Sequence, residues 1–252
     1  MNGTDNIYQI EADMHSHTLV SDHAFCTVLE MAKYASEQGL KAIAITDHGP
    51  KLPDGAHPFH FNNIMKNVPE YLYGVRIYRG AEANILDFEG SLDLTPKNLR
   101  ELEWIIVSFH GPACQPGSVE DHTKAYLKLA DNPFVDVIGH SGMDMYKYDY
   151  ERVIPVFRDK KKLMEINSHS LTSRIGAPKN CRRIAEICKR CGAPIVVDSD
   201  AHICFSLGEV GDAFKMLREI DFPPELIMNL KAERMAKWIE GRKADKKQAA
   251  GC

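Results

Sequence analysis

Six short apolar runs recur along the chain: KAIAITDH (41–48), VRIYRGAEAN (75–84), WIIVSFH (104–110), VDVIGH (135–140), KLMEINSH (162–169) and PIVVDSDAH (194–202). EADMHSH (11–17) precedes them and makes a seventh. Between most of them lie stretches such as TVLEMAKYASEQG, SVEDHTKAYLKLA and NCRRIAEICKRCG, apolar at three- and four-residue spacing and closed by glycine or proline. The stretches read as amphipathic helices and the runs as strands. Near-continuous apolar strands alternating with helices need cover on both faces, which specifies an α/β fold with a parallel sheet, either doubly wound or closed into a barrel. Seven strands in 252 residues favour the barrel, because a full eight-unit barrel has about that length. No G-x-G-x-x-G follows the first strand, where the chain runs HSHTLVSDH, so dinucleotide binding loses its main support.

Two segments depart from the alternation. Residues 49–63, GPKLPDGAHPFHFNN, read as a long loop over the site, and residues 85–95, ILDFEGSLDLT, as a short excursion turning at Glu89 and Gly90. No linker divides the chain, so one domain is expected over 1–252, with a core at 11–240 and a polar, frayed tail at 241–252.

A hydrophobic content of 44% and a charged content of 26% suit a globular protein. The net charge of -4 argues against nucleic-acid binding, which needs a basic surface, and leaves a small molecule as the expected partner. No apolar stretch is long enough to span a bilayer, and MNGTDNIYQI lacks the basic-then-apolar profile of a signal peptide. No membrane partner and a cytoplasmic location are therefore expected. Seven cysteines, an odd number, fit reduced thiols. Cys181, Cys188 and Cys191 share a helix-patterned stretch with Ile184 and Ile187, and read as small buried hydrophobes rather than a zinc site.

The polar residues fall into register with the strands. Each strand ends in a histidine or carboxylate: His15 and His17, His48, Glu82, His110, His140, His169, and Asp200 with His202. Residues two apart on a strand share a face, so His15 and His17 can converge on one ion. In βα barrels such strand-end groups gather at one mouth. Nitrogen and carboxylate donors without cysteine suit Zn²⁺, Mn²⁺ or Fe²⁺. Seven histidines and two carboxylates exceed the needs of one ion and imply a cluster of two or three.

HSH, SDHA, ITDHGP, RGAEAN, FH at 109–110, GH at 139–140 and SDAH at 199–202 resemble, in order, the motif series of the PHP (polymerase and histidinol phosphatase) family. The similarity covers roughly residues 11–240 and is greatest to the YcdX-type branch of stand-alone phosphoesterases. It implies a distorted (β/α)7 TIM-like barrel with three divalent ions at the C-terminal mouth, zinc before manganese or iron. His15, His17, Glu82 and Asp200 would hold one ion, and Glu82 would bridge to a second held by His110 and His140. His23, His48 and His202 would hold the third. The implied reaction is hydrolysis of a small phosphomonoester by a metal-activated hydroxide near Glu82, with Glu82, Asp200 and His202 as the catalytic residues. Closely spaced ions lower the pKa of a shared water and clamp the attacking and leaving oxygens of an in-line displacement.

Around this set, Arg174 is the expected phosphate contact, since guanidinium pairs with phosphate in a bidentate way. Ser168 and His169 are expected to touch substrate from the end of their strand. Arg79, three residues before Glu82, belongs to the opposite strand face. Asp47 reads either as a hydrogen-bond acceptor behind a ligand histidine or as a plain strand-end polar residue. His57 and His60 read as solvated loop residues and His122 as a surface residue. The sequence HSGMDMYKYD departs from the proline-containing turn expected there, so Asp144 and its tyrosines would reshape the pocket beside His140 and bear on substrate identity.

Three other functions are distinguishable. An amidohydrolase-type barrel also opens with H-x-H, but such barrels often bridge their metals with a carboxylated lysine, and no strand here ends in lysine. A non-catalytic metal-holding module, like PHP domains attached to polymerases, would be expected beside a larger machine, which this chain does not carry. Histidinol-phosphate hydrolysis shares the chemistry and differs only in substrate.

Overall fold

The computed structural model of the chain describes residues 8–249 and 251. Residues 1–7, which contain most of the stretch read for a leader profile, lie outside the described residues, as do Ala250 and Cys252. The strands are β1 (Ala12–Ser16), β2 (Ala42–Ile45), β3 (Tyr71–Leu72), β4 (Val75–Asn84), β5 (Trp104–Ser108), β6 (Val137–Ile138), β7 (Leu163–Asn167) and β8 (Ile195–Asp198). The α-helices are α1 (Val28–Glu37), α2 (Pro58–Asn67), α3 (Pro96–Glu101), α4 (Val119–Asp131), α5 (Tyr150–Asp159), α6 (Ser170–Ser173), α7 (Ala177–Cys191), α8 (Gly211–Glu219) and α9 (Ala232–Ala249).

Seven strands run parallel in the order β1-β2-β4-β5-β6-β7-β8, and β3 adds a short antiparallel edge to β4. Ser16 pairs with Ala201, and the His17 amide donates to the Ala201 carbonyl at 2.8 Å, which brings β1 against the end of β8. The result is the nearly closed (β/α)7 barrel that the alternation specifies. One apolar cluster fills its interior, with Met14, Ala44, Trp104, Ile106, Leu163 and Val196. The larger cluster lies between the outer strand faces and the helices, as parallel sheets require.

In β1, Asp13 pairs with Ile43 and Ser16 with Ile45, so three steps on β1 oppose two on β2. This bulge breaks the alternation of faces. Met14 stays in the apolar interior, while His15 still reaches the carboxylates above it.

Two segments differ from expectation. Within 49–63 a helix begins at Pro58: His57 Nδ1 accepts the Phe59 amide, and proline at the first helical position suits the fixed φ of a helix start. The tail expected to fray is helical to Ala249. Met235 and Ile239 of α9 join the barrel-interior cluster, and Trp238 meets Trp104 edge-on with centroids 5.5 Å apart. Arg242 and Lys246 are buried with their charges on Asp136, at 3.2 Å and 2.6 Å. α9 thus seals the end of the barrel opposite the strand-end histidines. The excursion at 85–95 forms as expected, with Ile85 bridging Leu92 and Gly90 at positive φ.

Candidate metal centre

Glu82 lies in β4 above the apolar interior, fully buried. Its Oε1 is 2.6 Å from His140 Nε2 and 3.5 Å from His110 Nε2. Its Oε2 is 2.7 Å from His48 Nδ1, 3.5 Å from His15 Nε2 and 3.7 Å from His17 Nε2. Asp200 Oδ1 lies 3.2 Å from His17 Nε2 and 3.5 Å from His15 Nε2. The His23 ring stacks on His202 at 4.5 Å and on His48 at 5.1 Å. All nine residues singled out by the strand-end pattern and the family resemblance therefore meet in one cluster at the barrel mouth.

Four histidines have Nδ1 committed and Nε2 left over. His15 Nδ1 meets Glu165 Oε1 at 2.6 Å, and His110 Nδ1 meets Asn84 Oδ1 at 2.7 Å. His202 Nδ1 meets the Asp200 carbonyl at 2.8 Å, and His23 Nδ1 meets Asp54 Oδ2 at 2.6 Å. Such partners fix the ring and tautomer of a metal-binding imidazole. Nε2 of His15, His110 and His140, both nitrogens of His17, Nδ1 of His48 and both oxygens of Glu82 are buried without a hydrogen bond. Each unsatisfied buried polar atom costs about 1–3 kcal/mol, so a set this dense calls for cations. Three triplets have donor atoms mutually within 4.8 Å: His15-His17-Glu82, His17-His48-His202 and His48-Glu82-His110. The residues fit a cluster of divalent ions, with Glu82 shared.

The electrostatics agree. Burial pushes Glu82 up, but His110, His15, His140 and His48 outweigh it and hold the carboxyl well below its usual range. Burial likewise opposes Asp200, and His15 and His17 lead the groups that hold it ionised. Burial, with His48 adding to it, takes His17 down to about 3, and burial leads in holding His110 well below its ordinary value. At His15 burial is overcome by Glu165, Asp200 and Glu82, which hold it well above. Ionised carboxylates and the neutral imidazoles of His17 and His110 are the form metal ions require. At His48, as at His15, burial is overcome by carboxylates that raise the imidazole pKa, and that negative field is one a cation would relieve. His140 and Asp200 adopt positive φ without being glycine, a strain that clusters at functional sites.

The neighbouring residues sort as follows. Arg174 and His169 line the cleft over the cluster, with Arg174 Nη2 3.4 Å from Asp200 Oδ2. Ser168 does not line it: its side chain accepts the Ala213 amide of α8, because odd and even residues at the end of β7 face opposite ways. Asp47 accepts from Thr18 and Ser21 and lies 3.2 Å from His60, so it braces the segment after β1 rather than a ligand imidazole. His60 is thus engaged, unlike the solvated residue expected. Arg79 turns outward to Glu103, as expected. His122 is a correction: it is buried, with Nδ1 at the Lys147 carbonyl and Nε2 accepting the Gly117 amide. Asp144 turns to Asn180 and Lys147, away from the cleft. Cys181 and Cys188 are buried free thiols.

Sequence reasoning missed Glu165, Asn84 and Asp54, and read Asn167 only as a strand-end neighbour of His169. Glu165 and Asn167 sit two apart on β7, the same spacing that singled out His15 and His17. Asn167 Nδ2 reaches Asp200 Oδ2 at 3.1 Å.

A nearly closed parallel barrel with a buried histidine-carboxylate cluster at its mouth defines a (β/α)7 protein whose mouth is suited to hold metal ions. The PHP domain family model matches residues 13–169. The chain belongs to that family. It is 42% identical over 231 residues to a "Probable phosphatase" of Acetivibrio thermocellus, covering 92% of this chain and 95% of that protein. A "Probable phosphatase" of Clostridium novyi is also 42% identical over 231 residues, covering 91% and 94%. Histidinol phosphate phosphatase of Lactococcus lactis, solved with zinc, L-histidinol and phosphate, superposes with a TM-score of 0.58 at 18% identity, covering 84% of this chain and 94% of that one. At that identity the likeness is one of fold. Among the described residues, no helix is long and apolar enough to cross a membrane.

Proposed function

We propose that the chain is a metal-dependent phosphoesterase that hydrolyses a small phosphomonoester. The observation that carries this is Glu82, whose two buried oxygens face different histidine sets and lack hydrogen bonds. His15, His17, Glu82 and Asp200 would hold one ion, Glu82, His110 and His140 a second, and His23, His48 and His202 a third, with zinc best suited to these donors. Bound ions would lower the pKa of a water and withdraw charge from phosphoryl oxygens.

The chain's own residues do the rest. Glu82 spans the two halves of the cluster, and Asp200 and His202 hold its cleft side. Arg174, 22% exposed, offers its guanidinium to the phosphoryl group, and His169 stands exposed beside it. Asn167 and Ser170 keep Asp200 and Arg174 in place. A cleft of about 530 Å³ fits a small ligand. The close relatives named as probable phosphatases support the assignment.

The test is elemental analysis of protein purified without chelator, followed by phosphate release from a panel of phosphomonoesters. Two or three ions per chain and turnover abolished by Glu82→Gln, with the circular dichroism spectrum intact, are expected. Metal-loaded protein that releases no phosphate from any ester would overturn the assignment.

A further inference from the structure

Among the described residues, the large apolar side chains left most exposed are concentrated at one end of the barrel. Leu19 and Phe25 follow β1, Phe59 follows β2, Met145 follows β6, Ile175 follows β7 and Phe205 follows β8, all between 51% and 86% exposed. The other four are Leu29 and Val119, in the first turns of α1 and α4, and Tyr71 and Tyr73, at the β3 edge. Scattered exposed apolar residues are ordinary, but their concentration around one opening marks a binding surface.

Within the cleft the same asymmetry holds. Arg174 and His169 stand among the metal-site residues, whereas Phe25, Leu52, Pro112 and Ile203 contribute carbon. Phe25 is held there by its backbone, since its amide donates to the His202 carbonyl at 2.8 Å. The ring is 73% exposed beside a cluster residue, with no cover from the described residues.

We propose that Phe25 and its apolar neighbours form the leaving-group side of the cleft, selecting monoesters of a ring-bearing, hydrophobic alcohol over those of small alcohols. The inference rests on the phosphoesterase assignment. Hydrolysis adds one water across the ester: the P–O bond to the alcohol breaks, a P–O bond from water forms, and one water proton ends on the departing oxygen. The phosphoryl group takes the Arg174 side, so the alcohol carbon skeleton falls toward Phe25. Covering one aromatic face is worth about tenfold in specificity, the scale of small apolar differences in a pocket.

The experiment compares kcat/KM of the metal-loaded protein for 2-phenylethyl phosphate and ethyl phosphate, whose leaving alcohols are similarly acidic. The phenylethyl ester should be favoured about tenfold, mostly through KM, and Phe25→Ala should bring the ratio close to one. Equal rates for the two esters, or a ratio that Phe25→Ala does not move, overturn the selectivity and leave the phosphoesterase assignment standing. Hydrolysis of neither ester, nor of any other monoester, removes both. A change of oligomeric state in Phe25→Ala with the ratio unmoved assigns the rim to a second copy of the chain and overturns the proposal.

Discussion

Glu165 Oε1 lies 2.6 Å from His15 Nδ1, and its other oxygen accepts the backbone amide of His140. One carboxylate on β7 therefore braces a histidine after the neighbouring strand β6 and another on β1, two strands away across β8. Glutamine offers a single carbonyl oxygen and cannot serve both donors. Glu165→Gln is expected to weaken metal binding about 10–100-fold, the usual cost of losing such a partner. Competition with a zinc-binding dye measures it, and unchanged affinity would show that the contact is idle.

Chelation should destabilise the protein, because the unpartnered nitrogens and oxygens of the cluster remain buried when no cation meets them. Ions present at about a thousand times their Kd stabilise by about 4 kcal/mol, which corresponds to a Tm about 10 °C higher in a chain of this size. Thermal unfolding before and after dialysis against EDTA, then with zinc restored, reads the difference. A Tm indifferent to EDTA would count against the cluster.

Glu103 supplies a pH dependence away from the site. Burial pushes its carboxyl up, but hydrogen bonds and charge from Arg79 and Arg76 take it down to about 2. Since the folded value lies below the unfolded one, the stabilisation is complete above about pH 4.5 and is lost as pH falls toward 2. Glu103→Gln should cost roughly 2–3 kcal/mol in urea at pH 7, with the gap to wild type closing as the pH drops through that window. A gap constant with pH would rule out the ion pairs as its source.

The Asp136 lock under the barrel predicts a large effect from a change far from the mouth. Converting Arg242 and Lys246 together to methionine leaves Asp136 buried with neither charge partner, retaining the Ile105 amide. The loss should be about 3–5 kcal/mol, the cost of an uncompensated buried charge. Asp136→Asn added to that double variant should recover part of it. Urea midpoints of the three proteins check both steps.

The barrel and eight of the nine cluster residues are legible in the sequence for one physical reason: polar residues at the ends of parallel strands follow apolar runs that can be counted, whereas His23, well past the end of β1, was marked by the family resemblance alone. What supports them is hidden in those runs. Glu165 interrupts LMEIN and reads as a blemish in a strand until its spacing from Asn167 is noticed. Ser168 was misassigned through the parity of the same strand, one residue deciding between cleft and α8. The last helix escaped because its inward side is sparse, with Met235, Ile239, Arg242 and Lys246 buried and two of the four carrying charge at the end of an aliphatic stem.

The bulge in β1 acts as a one-letter frame shift written into the backbone. On a regular strand Met14 and His15 would point to opposite sides, and the barrel would have to give up either its filling or its first imidazole. The bulge spares both: deleting Met14 to regularise the strand would take away part of the filling, and deleting His15 would take away the imidazole itself. One extra peptide unit thus lets neighbouring residues, Met14 and His15, serve the barrel filling and the histidine cluster at once.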